Sequence, residues 1–163
     1  MREEGEKVPS VTFREYCKKV QEVSFRFQYL EETLKVHLAM CFEIIDLSLG
    51  GRLFFDLSYD DVENLPLGEL IKRFRKYNSN KGLCKLLNDL TKERNHIAHK
   101  AYLLTEEKIK DSEVLAKEFE KVVKIRERVL EANKALYEEG RIVEALLREI
   151  EGGSSVGKNT GVS

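Results

Sequence analysis

Apolar residues in the first third of the chain recur at spacings of three and four positions. Such spacing aligns them along one side of an α-helix, so one long helix with a single buried face is predicted over Phe13–Leu49. Ser10 or Thr12 is suited to cap its start. The pair Gly50-Gly51 ends it, because glycine has low helix propensity and tolerates positive φ. The apolar stripe consists of Val20, Val23, Phe27, Leu30, Leu34, Leu38, Cys41 or Phe42, and Ile45.

The middle of the chain predicts two shorter helices. Residues 52–65 form an irregular loop or short helix, and a basic helix follows over Leu67–Tyr77. The polar cluster Asn78-Ser79-Asn80 ends that helix, since these side chains compete for backbone hydrogen bonds. The next helix is predicted over Lys81–Tyr102, where leucine, isoleucine and alanine again recur at helical spacing.

The last third of the chain predicts one helix or a helix pair over Glu107–Ile150. Thr105 is a suitable helix start, and Gly140 is a candidate interruption. The stretch 152–163 is rich in glycine and serine and predicts a flexible tail, while the charged stretch 1–10 predicts a disordered N-terminus. Residues 11–151 are therefore expected to form a single domain.

Composition favours an all-α fold. The 163 residues include two prolines and no tryptophan, and 35% of them are charged, a balance typical of long helices with solvated outer faces. We expect a four- to five-helix up-and-down bundle. One arrangement of such a bundle makes the first and last helices antiparallel partners.

Neither a membrane span nor a secretion signal is recognisable in the sequence. No run of about 18 apolar residues occurs, and the charged start lacks an apolar segment behind it. Cys17, Cys41 and Cys84 are odd in number and widely spaced, which matches neither a disulfide framework nor a zinc site. These features predict a cytoplasmic protein with buried thiols, no membrane contact, no cofactor and no metal.

Charge is unevenly distributed, although the whole chain has a formal net charge of −1. Residues 68–100 hold nine basic and three acidic side chains, a net charge of +6, which leaves −7 for the remainder. A phosphate-bearing ligand would be attracted to this segment if its cations share one face. A solvated basic surface without a ligand is the alternative.

Polar and titratable residues cluster near the end of the predicted helix Lys81–Tyr102. Asn95, His99 and Tyr102 recur at spacings of four and three, which places them on one side of the helix. Arg94 lies about 140° around the helix from His99, but its long side chain can reach back. Histidine titrates near neutral pH, a guanidinium can hold phosphate oxygens, and an amide can orient either group. These three residue types suffice for RNA cleavage by the 2′-hydroxyl.

The run Arg94-Asn95-x3-His99 resembles the Arg-x4–6-His signature of the HEPN superfamily. The resemblance rests on this motif and on helical architecture over residues 13–150. It implies a HEPN-type bundle and a metal-independent endoribonuclease, often a toxin or antiphage effector, in which the motif helices of two subunits form a composite site. By the same resemblance, Arg94 holds the scissile phosphate, His99 acts as general base or acid, and Asn95 positions them.

One departure from the family pattern concerns tyrosine. Some HEPN toxins paired with nucleotidyltransferase antitoxins carry a tyrosine two residues after the histidine, where AMP can be attached. Ala101 occupies that position here, and Tyr102 comes one residue later. An antitoxin or nucleotidyltransferase partner is thus an expectation of the resemblance, whereas adenylylation of Tyr102 is not predicted.

Further side chains are expected to contact RNA through charge or stacking. His96 also stands close to His99, but His37 is the only other histidine, and no cysteine pair or carboxylate cluster completes a metal site. Two other functions stay open: a non-catalytic helical module that binds a partner protein or dimerises, and an antitoxin or adaptor whose partner carries the activity. The predicted RNA contacts are His96, Lys92, Lys100, Tyr102, Arg73 and Lys76.

Overall fold

The computed structural model describes residues 11–104 and 106–156, with side chains as far as residue 153. Every regular element in these ranges is an α-helix, which confirms the all-α prediction. None of these helices is long and apolar enough to cross a membrane. The helices are α1 (Phe13–Leu49), α2 (Asp60–Glu63), α3 (Leu67–Tyr77), α4 (Lys81–His99), α5 (Glu106–Lys110) and α6 (Ser112–Val156).

Helix α1 has the predicted bounds because both ends are set by local chemistry. The Thr12 hydroxyl accepts a hydrogen bond from the Glu15 backbone N–H, and the Glu15 carboxylate accepts one from the Thr12 backbone N–H. This reciprocal pair satisfies donors that have no partner inside the helix. At the other end Gly50 adopts a left-handed conformation with φ of 56°, as expected for a glycine cap.

Helix α4 ends at His99, three residues before the predicted end at Tyr102. The backbone N–H groups of Lys100 and Ala101 both bond to the His96 carbonyl, and the bond from Ala101 spans five residues, so the helix closes with a wider last turn. Ala101 is buried, and its carbonyl accepts a 2.7 Å hydrogen bond from the Tyr16 hydroxyl of α1. The helix therefore ends where the chain makes a tertiary contact, and such a contact cannot be predicted from helix periodicity.

The last part of the chain forms a helix pair whose break lies at Asp111, not at Gly140. The Asp111 carboxylate accepts hydrogen bonds from the backbone N–H groups of Glu113 and Val114, at 3.0 and 3.1 Å, and so caps α6. Helix α6 then continues to Val156, past the predicted start of the tail at Gly152. Extending a formed helix fixes one residue per hydrogen bond, which costs less than starting one.

Three predictions fall outside the described residues: the disordered stretch 1–10 with its alternative cap Ser10, the helix start at Thr105, and the remainder of the tail at 157–163. Within the described part, residues 52–65 form a loop that contains the short helix α2, as one of the two predicted alternatives.

Helices α1 and α6 run parallel, which overturns the antiparallel arrangement. Glu22 pairs with Arg126, and further along both helices the Asn133 amide donates a 3.4 Å hydrogen bond to the Arg26 carbonyl. The residue numbers rise together, as only parallel helices allow. The parallel course is possible because the loop after α1 turns back along that helix. The Tyr59 hydroxyl of this loop lies 3.4 Å from the Glu32 carboxylate in the middle of α1.

The long helices do not all alternate in direction as an up-and-down bundle requires, because the consecutive long helices α1 and α3 run the same way. Helix α3 runs in the same direction as α1. Phe74 contacts His37, and further along both helices Tyr77 contacts Phe42, at ring-centroid distances of 5.0 and 5.3 Å. Helix α4 runs opposite to α1. Its Arg94 pairs with Glu31, and Ala101, which follows the helix, accepts a hydrogen bond from Tyr16, an earlier residue of α1. The four long helices enclose one apolar core and leave the outer side of α4 facing solvent.

Candidate functional site

Asn95 and His99 lie on the outer face of α4, and both are exposed. They are four residues apart and so point in directions that differ by about 40°. The buried side of the same helix carries Leu90 and Ile97, which pack into the core. The structure thus places an amide and an imidazole side by side at the surface, as the spacing predicts.

Arg94 does not join them within one chain. Its guanidinium lies on the side of α4 that faces α1, where Nε is 3.3 Å from Oε1 of Glu31. Arg94 and His99 therefore remain about 140° apart around the helix. The ion pair is only partly covered, with side-chain exposures of 30% for Arg94 and 19% for Glu31, so the guanidinium can exchange its carboxylate for a phosphate.

The predicted RNA contacts Lys92 and His96 meet in a groove of about 370 Å³ between α4 and α6. Helix α6 contributes Lys121 and Lys124 to this groove. The His96 Nε2 atom is buried there without a hydrogen-bond partner among the described residues. The two α6 lysines were not predicted from the sequence, because their spacing does not indicate which helix packs beside them. We call the surface formed by these four cationic or titratable residues the α4–α6 groove.

Glu93 is the acidic residue of the α4–α6 groove. Burial raises the pKa of its carboxyl group, while the charge and the hydrogen bond of Arg128 act in the opposite direction. Arg128 also lies 3.9 Å from Asp89. One arginine of α6 thus faces both acidic side chains of this part of α4, while Lys121 of the groove pairs with Glu118 of its own helix at 2.6 Å.

A stripe of polar residues with no acidic member runs along the whole outer face of α4. Its members are spaced alternately by four and three positions, and all are exposed. From first to last it extends about 27 Å at the rise of an α-helix. The stripe, called the α4 stripe below, consists of Lys81, Lys85, Asn88, Lys92, Asn95 and His99.

A second groove, of about 550 Å³, lies where the end of α3 meets the start of α4. Arg75 is the α3 cation that lines it, rather than the predicted Arg73 and Lys76. Arg73 is half-buried and lies about 160° around α3 from Arg75, and Lys76 is exposed outside the groove. Sequence could not separate these neighbours, because only the packing of α4 decides which flank of α3 faces it. The α3–α4 groove is lined by Arg75, Asn78, Ser79, Lys81, Cys84, Lys85 and Asn88.

Tyr102 and Lys100 follow α4 rather than belonging to it. Tyr102 is about half exposed, and burial together with the nearby Cys17 raises the pKa of its hydroxyl. The prediction that Tyr102 continues the side of Asn95 and His99 is wrong, because it assumed one more helical turn. Lys100 is exposed at the cap of the helix.

Comparison with known proteins leaves the chain without a counterpart: no family model, no curated protein and no solved structure matches it. Among the described residues, no group of three or more histidine, cysteine or carboxylate side chains is placed to hold a metal ion.

Proposed function

We propose that the protein is an endoribonuclease of the HEPN type, which cleaves RNA through its 2′-hydroxyl without a metal ion and acts as a toxin or antiphage effector. One observation carries the proposal: an exposed imidazole, His99, stands at the end of the α4 stripe with Asn95 beside it. The lysines of that stripe attract a phosphodiester backbone toward an imidazole, a group that can act as general base or general acid.

The reaction requires two proton transfers. His99 takes the proton of the 2′-hydroxyl, the resulting oxyanion attacks the adjacent phosphorus, and the bond to the 5′-oxygen breaks. The His99 imidazole, now protonated, returns that proton to the leaving 5′-oxygen, so the products are a 2′,3′-cyclic phosphate and a 5′-hydroxyl. A guanidinium meets the charge that develops on the phosphate, and Asn95 orients the imidazole.

Two copies of the chain are needed for this chemistry, because each copy directs its Arg94 toward Glu31 and away from its own His99. A second α4 packed near the motif brings the partner's Arg94 guanidinium to His99, so that a dimer has two sites with one imidazole and one guanidinium each. Ala98 is exposed and lies on the helix surface between the directions of Arg94 and Asn95. Its small side chain lets another helix approach closely.

The test is RNA cleavage by the purified chain in the presence of EDTA, with product ends identified by mass spectrometry. His99→Gln replaces the imidazole with an amide, which can hydrogen-bond but cannot transfer protons, so we expect cleavage to fall by about 10²–10⁴-fold. Lys134→Gln alters an exposed residue of α6 outside the stripe and both grooves and should cut normally. A His99→Gln protein that cuts as fast as the parent chain would refute the proposal.

A second candidate function is that of a helical module that binds a partner protein. Phe25, Tyr29 and Val36 align on the outer side of α1, and Phe25 is 71% exposed. Apolar side chains in such a row are typical of a protein contact. This function predicts no RNA cleavage under any condition and loss of partner binding in Phe25→Ser, with His99→Gln unaffected.

A further inference from the structure

We infer that the α3–α4 groove is a second phosphate-binding site, which holds the backbone of the same RNA strand at a distance from His99. The inference deepens the proposed function and rests on it. It assigns an RNA contact to Arg75, Lys81 and Lys85, which lie toward the opposite end of α4 from the motif.

The groove has the side chains that a phosphate needs. Three cations from two different helices converge on one concave surface, and none of the residues that line it carries a carboxylate. Asn88 and Ser79 add neutral hydrogen-bonding groups. Arginine and lysine together can neutralise phosphate oxygens, while the amide and hydroxyl groups hold the strand without regard to base identity.

Glu139 of α6 accepts hydrogen bonds beside this groove. The Asn78 amide donates to one of its oxygens at 2.9 Å, and the Asn80 amide donates to the other at 3.1 Å. Glu139 keeps its negative charge but does not line the groove. None of the three groove cations forms an ion pair with an acidic side chain among the described residues, so their charge is available to a ligand.

The α4 stripe connects the groove to the motif. Lys85 and His99 lie on the same outer face, about 21 Å apart along the helix axis, with Asn88 and Lys92 between them. A single strand that lies along α4 can therefore contact both ends at once. It follows that efficient substrates extend several nucleotides from the cleaved bond toward the groove, and that very short RNAs bind weakly.

The experiment measures RNA binding without cleavage. A His99→Ala chain is titrated against a fluorescein-labelled single-stranded RNA of about 12 nucleotides at several salt concentrations, with anisotropy as the readout. Adding Arg75→Gln and Lys85→Gln should weaken binding at least about tenfold. It should also reduce the slope of log affinity against log salt by about 1.4, since each lost phosphate contact contributes about 0.7 for a single strand.

The matched control is Lys110→Gln with Lys134→Gln in the same His99→Ala background. It removes the same charge from exposed positions outside both grooves, so affinity and salt slope should stay close to those of the His99→Ala chain. Circular dichroism verifies the fold of each protein. If the Arg75/Lys85 pair of changes lowers helicity, Lys85→Glu at its exposed position gives the same discrimination.

The outcomes separate the groove from the nuclease. Weakened binding specific to the groove variant supports the inference even if the parent chain cuts no RNA, in which case only the nuclease proposal fails. If the parent chain cuts RNA but the groove and control variants bind equally, the inference is overturned and the nuclease proposal stands. Failure of the His99→Ala chain to bind the RNA at low salt overturns the inference as well.

Discussion

His37 is a polar side chain enclosed by the core. Its side chain is 1% exposed, and neither ring nitrogen has a hydrogen-bond partner within the described structure. Burial lowers the pKa of the imidazole below its usual value of 6.5, while the negative charge of Glu139 opposes the shift. The ring is therefore held neutral against Phe74, at a cost in hydrogen bonding that an apolar residue would not incur.

His37→Leu should remove this cost and the acid sensitivity that comes with it. At pH 7.5 the free energy of unfolding should stay unchanged or rise by about 1 kcal/mol, because two unsatisfied polar atoms are lost from the core. Below the unfolded pKa of 6.5 the unfolded chain of the parent protein binds a proton that the folded chain resists, so its stability falls as pH decreases.

Urea denaturation at pH 7.5 and 5.5 measures the difference between the two chains. The parent protein should lose about 1 kcal/mol more than His37→Leu over this interval. An equal loss in both proteins would show that His37 does not titrate differently in the folded and unfolded states.

Helix α6 stays continuous across Gly140, although glycine weakens a helix interior. A Cβ atom at this position would meet nothing within 4 Å, because the residue faces a groove of about 510 Å³ between α1 and α6. Among the described residues, the buried ones of α6 end at Leu136, before the glycine, so tertiary packing does not explain the continuity. The helix is already formed when it reaches Gly140, and extending it by one residue costs less than starting a new helix.

Gly140→Ala should raise the free energy of unfolding by about 0.5–1 kcal/mol, since alanine loses less backbone entropy on folding and fits the open space. Thermal or urea denaturation of the two proteins under the same conditions measures the change. A decrease would mean that α6 requires glycine for a close approach at this position.

The proposed composite site predicts how two inactive variants behave when they are mixed. If His99 of one copy works with Arg94 of the other, a mixture of two inactive variants can rebuild an intact site. Each mixed dimer of Arg94→Gln and His99→Gln contains one site with both native side chains. A site formed within a single chain contains none in the same mixture.

Equal amounts of Arg94→Gln and His99→Gln, unfolded together and refolded, should recover about one quarter of the parent activity. Half of the dimers are mixed at random association, and each has one of two sites intact. RNA cleavage at constant total protein concentration measures the recovery. Activity no higher than that of the separate variants would place the arginine and histidine in one chain, or make the arginine dispensable.

The sequence by itself determined the all-α class, both ends of α1 and the shared direction of Asn95 and His99. These features depend on interactions within a few residues: helical spacing, a capping box and a glycine cap. Local interactions of this kind depend only on residues that are neighbours in the sequence, so they could be predicted without knowing which helices pack together.

Tertiary structure alone decided the parallel course of α1 and α6, the early end of α4, the pairing of Arg94 with Glu31 and the choice of Arg75 over Arg73 as the groove cation. Periodicity tells which side of a helix is buried but not which neighbour covers its flank. Those neighbours are set by contacts between residues far apart in the chain, such as the Tyr16 hydroxyl and the Ala101 carbonyl, and these form only when the helices pack.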